Sequence, residues 1–255
     1  MLLAIDVGNT HIVIGLFDHD NELVEHWRLH TQAERTSDEI ALQMAQLLEL
    51  SGLNFAQLSG AAISSVVPRV TAELRRLAER YLPFPPVVVG PGTRSGMPIL
   101  YDDPKEVGAD RIANAVAAYD RYGGPVIVVD FGTATTLDVV TEAGEYLGGA
   151  IVPGIEVSFD ALFGRAAGLR TVELVPPKNV IGRSTVESIQ SGALYGYAGM
   201  VDAIVDRFEE EIGEATVVAT GGLARLIAPV SDTIEHSEPW LTLYGLRLIY
   251  ERNQA

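Results

Sequence analysis

Two short stretches constrain this chain more than anything else in it. "LLAIDVG" at 2–8 is an apolar run that ends in an acid, one spacer and a glycine, and "PVIVVDFGT" at 125–133 ends the same way. After the first come "HIVIGLF", the turn "DHDN" and "ELVEHWRLHT"; after the second come "TTLDVVT", the turn "EAGE" and "YLGGAIV". Each half therefore reads as strand, Asp-x-Gly turn, strand, turn, strand. Asp6 and Asp130 lie 124 residues apart in a chain of 255. A unit that recurs at half-chain spacing implies two domains of related fold, expected at residues 1–115 and 116–255.

The remaining pattern fits that scheme. Positions 37–52 have helical spacing, with Ile40, Met44, Leu47 and Leu48 on one face. "AAISSVVP" reads as a strand, "VTAELRRLAERYL" as a helix and "PVVVG" as a strand; a helix around 187–211 and the strand "ATVVATGG" follow in the second half. Strands linked by helices place the chain in the α/β class. Hydrophobic residues make up 47%, enough for two cores. No run approaches the roughly 20 apolar residues of a membrane span, and "MLLAID" reaches an acid too early for a signal peptide. A cytoplasmic protein is expected.

With no cysteine, the chain has no disulfide, thiolate metal site or cysteine nucleophile. The net charge of −16 excludes a phosphate-backbone partner unless a basic patch exists. Arg69, Arg75, Arg76 and Arg80 are interleaved with acids, so neither nucleic acid nor membrane is expected as a partner. An anionic ligand must then be held by local devices, such as backbone N–H groups, helix N-termini and chelated cations.

An acid at the end of a buried strand is costly unless something compensates it, and a cation is the obvious partner. The glycine two residues on lets the backbone turn sharply and a ligand approach. Asn9, Thr10, Thr133, Thr135 and Thr136 offer small donors. Together they make a phosphate cradle beside a metal-holding carboxylate. The same dipeptides also build plain hairpin turns. "ATGG" at 219–222 ends another strand; Gly221 and Gly222 either let a flat base lie on the backbone or simply open the next helix. There is no GxxxxGK[ST] P-loop and no GxGxxG after a strand. His26 and His30 would share a strand face, but no third ligand accompanies them, so no zinc site is assigned.

The paired turns and the late glycine turn resemble the actin, Hsp70 and sugar-kinase superfamily, and within it the chain is similar to type III pantothenate kinases. The matching segments are "DVGNTHIVIG", "GADR" at 108–111, "DFGTATT", "GGAIVPG", "GRSTVESIQSG", "ATGG" and "PWLTLYGL", in order from residue 6 to 246. The resemblance implies two ribonuclease-H-like (actin-like ATPase) domains with an active-site cleft between them. The reaction it implies is ATP-dependent phosphorylation of pantothenate, which opens coenzyme A synthesis. ATP would lie along Asp6, Val7, Gly8, Asn9, Thr10, His11 (through its backbone), Ile12 and Val13, with Thr133, Gly221 and Gly222 from the second half. Asp6 would hold Mg²⁺ at the phosphates, and Asp130 a monovalent cation, K⁺ or NH₄⁺.

Asp110 is the candidate general base, with Gly108, Ala109, Asp110, Arg111, Tyr101 and Thr185 as pantothenate contacts. Arg111 suits the substrate carboxylate because a planar fork matches two oxygens. By spacing alone, Asp110 and Arg111 also read as a salt-bridged helix start. Where the family often has Lys followed by Asn or Asp, this chain has Arg183 and Ser184. The family forms homodimers, and "SGALYGYAGMVDAIV" is the segment expected at that interface, or else a helix buried in one domain. The competing functions are a non-catalytic regulator that kept the fold and a kinase for another small alcohol.

Overall fold

A computed structural model describes residues 1–166 and 171–254. The chain forms two compact units. The first comprises Met1–Met97, Asp102–Ala117 and the stretch from Thr242 to the C-terminus; the second comprises Pro98–Tyr101 and Ala118–Leu241.

The first unit contains strands β1 (Leu2–Val7), β2 (His11–Phe17) and β3 (Leu23–His30), helix α1 (Ser37–Leu50), strand β4 (Gly60–Ser65), helix α2 (Pro68–Tyr81), the short strand β5 (Val87–Val88) and the start of helix α3 (Ala109–Tyr122). Its sheet has the order β3-β2-β1-β4-β5. The three leading strands are antiparallel neighbours, while β4 and β5 add in parallel. Helix α1 starts where Thr36 and Glu39 cap each other reciprocally. Helix α2 starts on Pro68, whose missing N–H costs nothing at a first turn. Their apolar faces, Ile40, Met44 and Leu48 with Val70, Leu74 and Leu77, close over Ile5, Ile12, Ile14 and Ile63.

The second unit contains the rest of α3, then β6 (Val126–Phe131), β7 (Ala134–Val140), β8 (Tyr146–Pro153), α4 (Ile155–Arg165), α5 (Thr185–Ile212), β9 (Thr216–Thr220), the short α6 (Ala224–Ile227) and β10 (His236–Ser237). Its sheet order, β10-β9-β6-β7-β8, has the same connectivity as the first: β6 stands for β1, β7 for β2, β8 for β3, β9 for β4 and β10 for β5. The match extends to detail. Strands β1 and β6 bury every residue except their fifth, which is Asp6 in one and Asp130 in the other. Strands β2 and β7 repeat one burial rhythm, and both lose register at their last step. The expected duplication is therefore present strand for strand.

Helix α7 (Leu241–Arg252) packs with the first unit from Thr242 onward. Its Gly245 lies so close to the backbone of Ala113 that no Cβ fits, and the Tyr250 ring fills the space beside Gly60. The division itself falls within α3, between Ala117 and Ala118.

Helix α5 turns its Ala193, Leu194, Ala198, Val201 and Val205 into the core of the second unit. Gly192, Gly196 and Gly199 on its other side are exposed, with open space where side chains would begin. Ser184 is the N-cap of this helix: its hydroxyl accepts the Glu187 N–H at 3.2 Å, and the Glu187 carboxylate accepts the Arg183 N–H at 2.9 Å. The residues at 183 and 184 that depart from the family pattern thus make a sound helix start.

Midway along α5, Asp202 ties down the turn 231–233. Burial opposes its ionisation, but hydrogen bonds from Ser231, Asp232 and Thr233 outweigh that and hold the carboxyl below its usual value. Such a group stabilises the fold above the ordinary carboxyl range, and this contribution disappears as pH falls below about 3.8. Asp202→Asn is expected to cost about 1–3 kcal/mol at pH 7. Urea unfolding should show the gap from wild type closing in acid; a gap independent of pH would refute the assignment.

Candidate active site

Strand β1 runs from the buried Ile5 into Asp6, which is half-buried, and the chain then opens into the exposed Asn9 and Thr10. The Gly8 N–H donates to the His11 carbonyl at 2.9 Å, closing the turn. The parallel register sets Asp6 opposite Ser64 of β4, and the Ser64 hydroxyl donates to Asp6 Oδ1. Ser64 has no solvent exposure, so its partner carboxylate is held from the buried side. Val7 and Ile12 flank the turn as core residues.

The second unit repeats the arrangement. Asp130 is half-buried at the end of β6, and Gly132 and Thr133 are exposed. Thr220 of β9 occupies the register position opposite Asp130, as Ser64 does opposite Asp6. Gly221 follows at φ +91°, and a Cβ there would stand 2.5 Å from Asp130 Oδ1 and 2.7 Å from the Phe131 backbone. Asp130 and the glycine turn are thus in direct contact, while Gly222 is exposed beside them. Thr135 and Thr136 do not join the cradle. Thr135 has no solvent exposure, and the Thr136 hydroxyl donates to Asp138 Oδ2 at 3.1 Å. Alternation along β7 sends the two to opposite faces of the sheet, Thr135 into the buried interior and Thr136 toward Asp138.

Asp110 stands in the first turn of α3, half-buried, with Oδ1 accepting the Arg111 N–H at 2.8 Å. The same oxygen occupies the space where a Cβ on Gly108 would sit, which explains the glycine of "GADR". Ala109 is buried, and Arg111 is only 8% exposed. A carboxylate brought to so screened a guanidinium would gain more than a surface pair does.

Tyr101 lies in the second unit, its ring against the Gly148 backbone and 6.5 Å from the buried Tyr146 ring. Thr185 is exposed at the start of α5. His26 and His30 are both exposed along β3, and the His30 ring lies 5.1 Å from that of His11. Among the described residues no three His, Cys, Asp or Glu side chains cluster to hold a metal. Mg²⁺ is commonly held through one or two carboxylates, water and substrate phosphate rather than by an all-protein cage. Asp6, a hard oxygen ligand beside an exposed turn, fits that demand. Asp130 likewise offers a carboxylate oxygen, Oδ1, beside the Gly221 turn.

Sequence reasoning missed Ser64, Thr220 and the pair Asp138–Tyr146, joined at 2.6 Å with neither exposed. Strand register made these pairings, and no local motif announces it. Helix α2 carries Arg69, Arg76 and Arg80 paired with Glu34, Glu73 and Asp38, as the interleaved charges suggest.

The family model for type III pantothenate kinases matches residues 2–207. The chain belongs to the type III pantothenate kinase family. A member of that family from Streptomyces griseus is 55% identical over 99% of this chain and 98% of its own length. One from Geobacter sulfurreducens is 54% identical, with both chains covered in full. Among solved structures, a Campylobacter jejuni protein described as a Baf family transcriptional activator aligns with TM-score 0.61 at 20% identity, over 99% of this chain and 98% of that one. A ROK family glucokinase from Streptomyces griseus, in complex with glucose and AMPPNP, aligns with TM-score 0.52 at 12% identity, over 100% and 99%. These structural likenesses establish the actin-like ATPase and sugar-kinase fold for this pantothenate kinase family member.

Proposed function

We infer that this chain transfers the γ-phosphoryl group of ATP to the primary hydroxyl of pantothenate, yielding 4′-phosphopantothenate at the opening of coenzyme A synthesis. The observation that carries the reading is the duplicated turn, a half-buried carboxylate at the tip of β1 and of β6, in a chain of this family. Phosphoryl transfer asks mainly for positioning and charge neutralisation. Gly8, Asn9, Thr10 and the His11 backbone hold phosphate oxygens, as does Thr133. Val7, Ile12 and Val13 support that segment from the strands. Gly221 and Gly222 leave room for the adenosine.

Asp6 would hold Mg²⁺ and Asp130 a monovalent cation, K⁺ or NH₄⁺, which would supply positive charge at the phosphates in a protein with only two lysines, Lys105 and Lys178. Asp110 accepts the proton of the attacking hydroxyl. Arg111 takes the pantothenate carboxylate, and Gly108, Ala109, Tyr101 and Thr185 are its further contacts. The ATP requirement places the reaction in the cytoplasm. Among the described residues no helix is long and apolar enough to cross a membrane.

The working form is a homodimer that uses the exposed glycine face of α5, since a helix bare at Gly192, Gly196 and Gly199 permits close approach. Sedimentation at micromolar concentration should show twice the monomer mass, and Gly196→Trp should halve it. A wild type that sediments only as monomer would sink the dimer.

The reaction is tested with purified protein, MgATP, potassium and pantothenate, measuring ADP and phosphopantothenate. An inert wild type that turns over a different small alcohol would overturn the substrate. ATP binding without turnover of any alcohol would favour the regulator reading, which the presence of Asp6, Asp110 and Asp130 disfavours.

A further inference from the structure

The two turns are tied down in the same way by residues outside them. Thr31 follows β3 directly, and its N–H donates to the Thr10 carbonyl at 2.9 Å. Its hydroxyl donates to the Gly8 carbonyl at 2.7 Å. One residue thus holds both ends of the turn Gly8–Thr10. In the second unit the residue directly after β8 is Gly154, and its N–H donates to the Thr133 carbonyl at 3.0 Å. Thr10 and Thr133 each immediately precede the second strand of their unit, so the two backbone bonds occupy the same place in the repeat. The side chains differ for a steric reason. At Gly154 a Cβ would fall within 3.0 Å of the carbonyl oxygens of both Gly132 and Thr133. The shorter turn of the second unit, two residues against three, brings its backbone up against the brace and leaves no room for a side chain there.

We propose that Thr31 and Gly154 are positioning residues for phosphate binding, each fixing the turn that follows the first strand of its own unit. The proposal rests on the reading that these turns hold ATP phosphate. Backbone N–H groups bind an oxyanion well only if they are already aimed at it, because reorienting them on binding consumes the free energy gained. A carbonyl anchored on the far side of each peptide fixes the direction of the neighbouring N–H. Neither residue belongs to an Asp-x-Gly motif, and neither needs to touch the ligand.

The test compares Thr31→Val, which keeps the shape but loses the hydroxyl, with Thr31→Ser, which keeps the hydroxyl. Thr31→Val is expected to raise KM for ATP by about 3- to 10-fold, the worth of one hydrogen bond. Its KM for pantothenate should be unchanged, and Thr31→Ser should restore wild-type behaviour. Titration calorimetry with ADP should show the same loss of affinity in the absence of chemistry. Gly154→Ala should lose more, since its Cβ displaces both carbonyls; its melting curve tells a displaced turn from a failed fold.

Thr10→Ala separates the two layers of the argument. If it weakens ATP and ADP binding while Thr31→Val leaves both constants at wild-type values, the brace is refuted and the phosphate turn stands. If neither variant affects nucleotide binding, the phosphate reading itself falls. A Thr31→Val protein that loses affinity for ATP and pantothenate alike, without rescue by serine, has a general structural defect and also refutes the proposal.

Discussion

Asp110→Asn is expected to lower kcat for pantothenate phosphorylation by about 10²- to 10⁴-fold, the usual worth of a positioned general base. The substitution is nearly isosteric. Asparagine Oδ1 can still accept the Arg111 N–H, as Asp110 Oδ1 does at 2.8 Å, and it still fills the space left open by Gly108. The start of α3 should therefore survive, and the variant should melt close to wild type. What the amide cannot do is take a proton from the attacking hydroxyl. KM for both substrates should change little, because the carboxylate acts on the reaction rather than on binding. A variant within about tenfold of wild-type kcat would show that Asp110 is only the helix start its spacing also allows.

Gly221→Ala carries the second large effect, which begins in the backbone. At φ +91° an L-residue is strained, and the added Cβ would sit 2.5 Å from Asp130 Oδ1 and 2.7 Å from the Phe131 N and C atoms. Two of those three atoms are main chain in a central strand that pairs on both sides, so they cannot yield cheaply. Strain and overpacking together are expected to cost about 2–5 kcal/mol of stability. Because the displaced oxygen belongs to Asp130, nucleotide turnover should fall even in the fraction that stays folded. If potassium activates the wild type, that activation should be weakened in the variant. Gly222→Ala is the natural comparison: the residue is exposed and its effect should be much smaller. Equal losses at 221 and 222 would mean that contact with Asp130 is not what makes 221 special.

Much of the fold was legible in the chain, for identifiable reasons. Strand β6 is an unbroken apolar run ending in an acid and a glycine, and it folds as one, with only Asp130 partly exposed. Helix α1 carries its apolar positions at helical spacing behind a Thr-x-x-Glu cap, so periodicity and capping agree. The helix expected around 187–211 extends from Thr185 to Ile212, started by Ser184 and stopped by Gly213 at φ +85°. Helix α4 was not anticipated. It follows Pro153 and Gly154 and buries only Ile155, so its apolar periodicity is weak.

The candidate site was legible where one segment supplies both the turn and its chemistry, as at Asp6–Thr10 and Gly108–Arg111. It was not legible where separate segments meet. Thr135 and Thr136 looked equivalent to Thr133 in sequence, yet one is buried and the other serves Asp138. Only the pairing of β7 with its neighbours assigns each threonine its face.

By itself the sequence determined the repeat, the α/β class and the two carboxylate-tipped turns, because each is written in a contiguous stretch whose polarity and backbone freedom act locally. Tertiary structure alone decided that Ser64 meets Asp6, that Thr31 and Gly154 anchor the turns, and that α7 packs with the first unit through Gly245 and Tyr250. These pairings join residues tens to more than a hundred positions apart. Strand register and close backbone packing select them, and neither leaves a periodic trace in the chain.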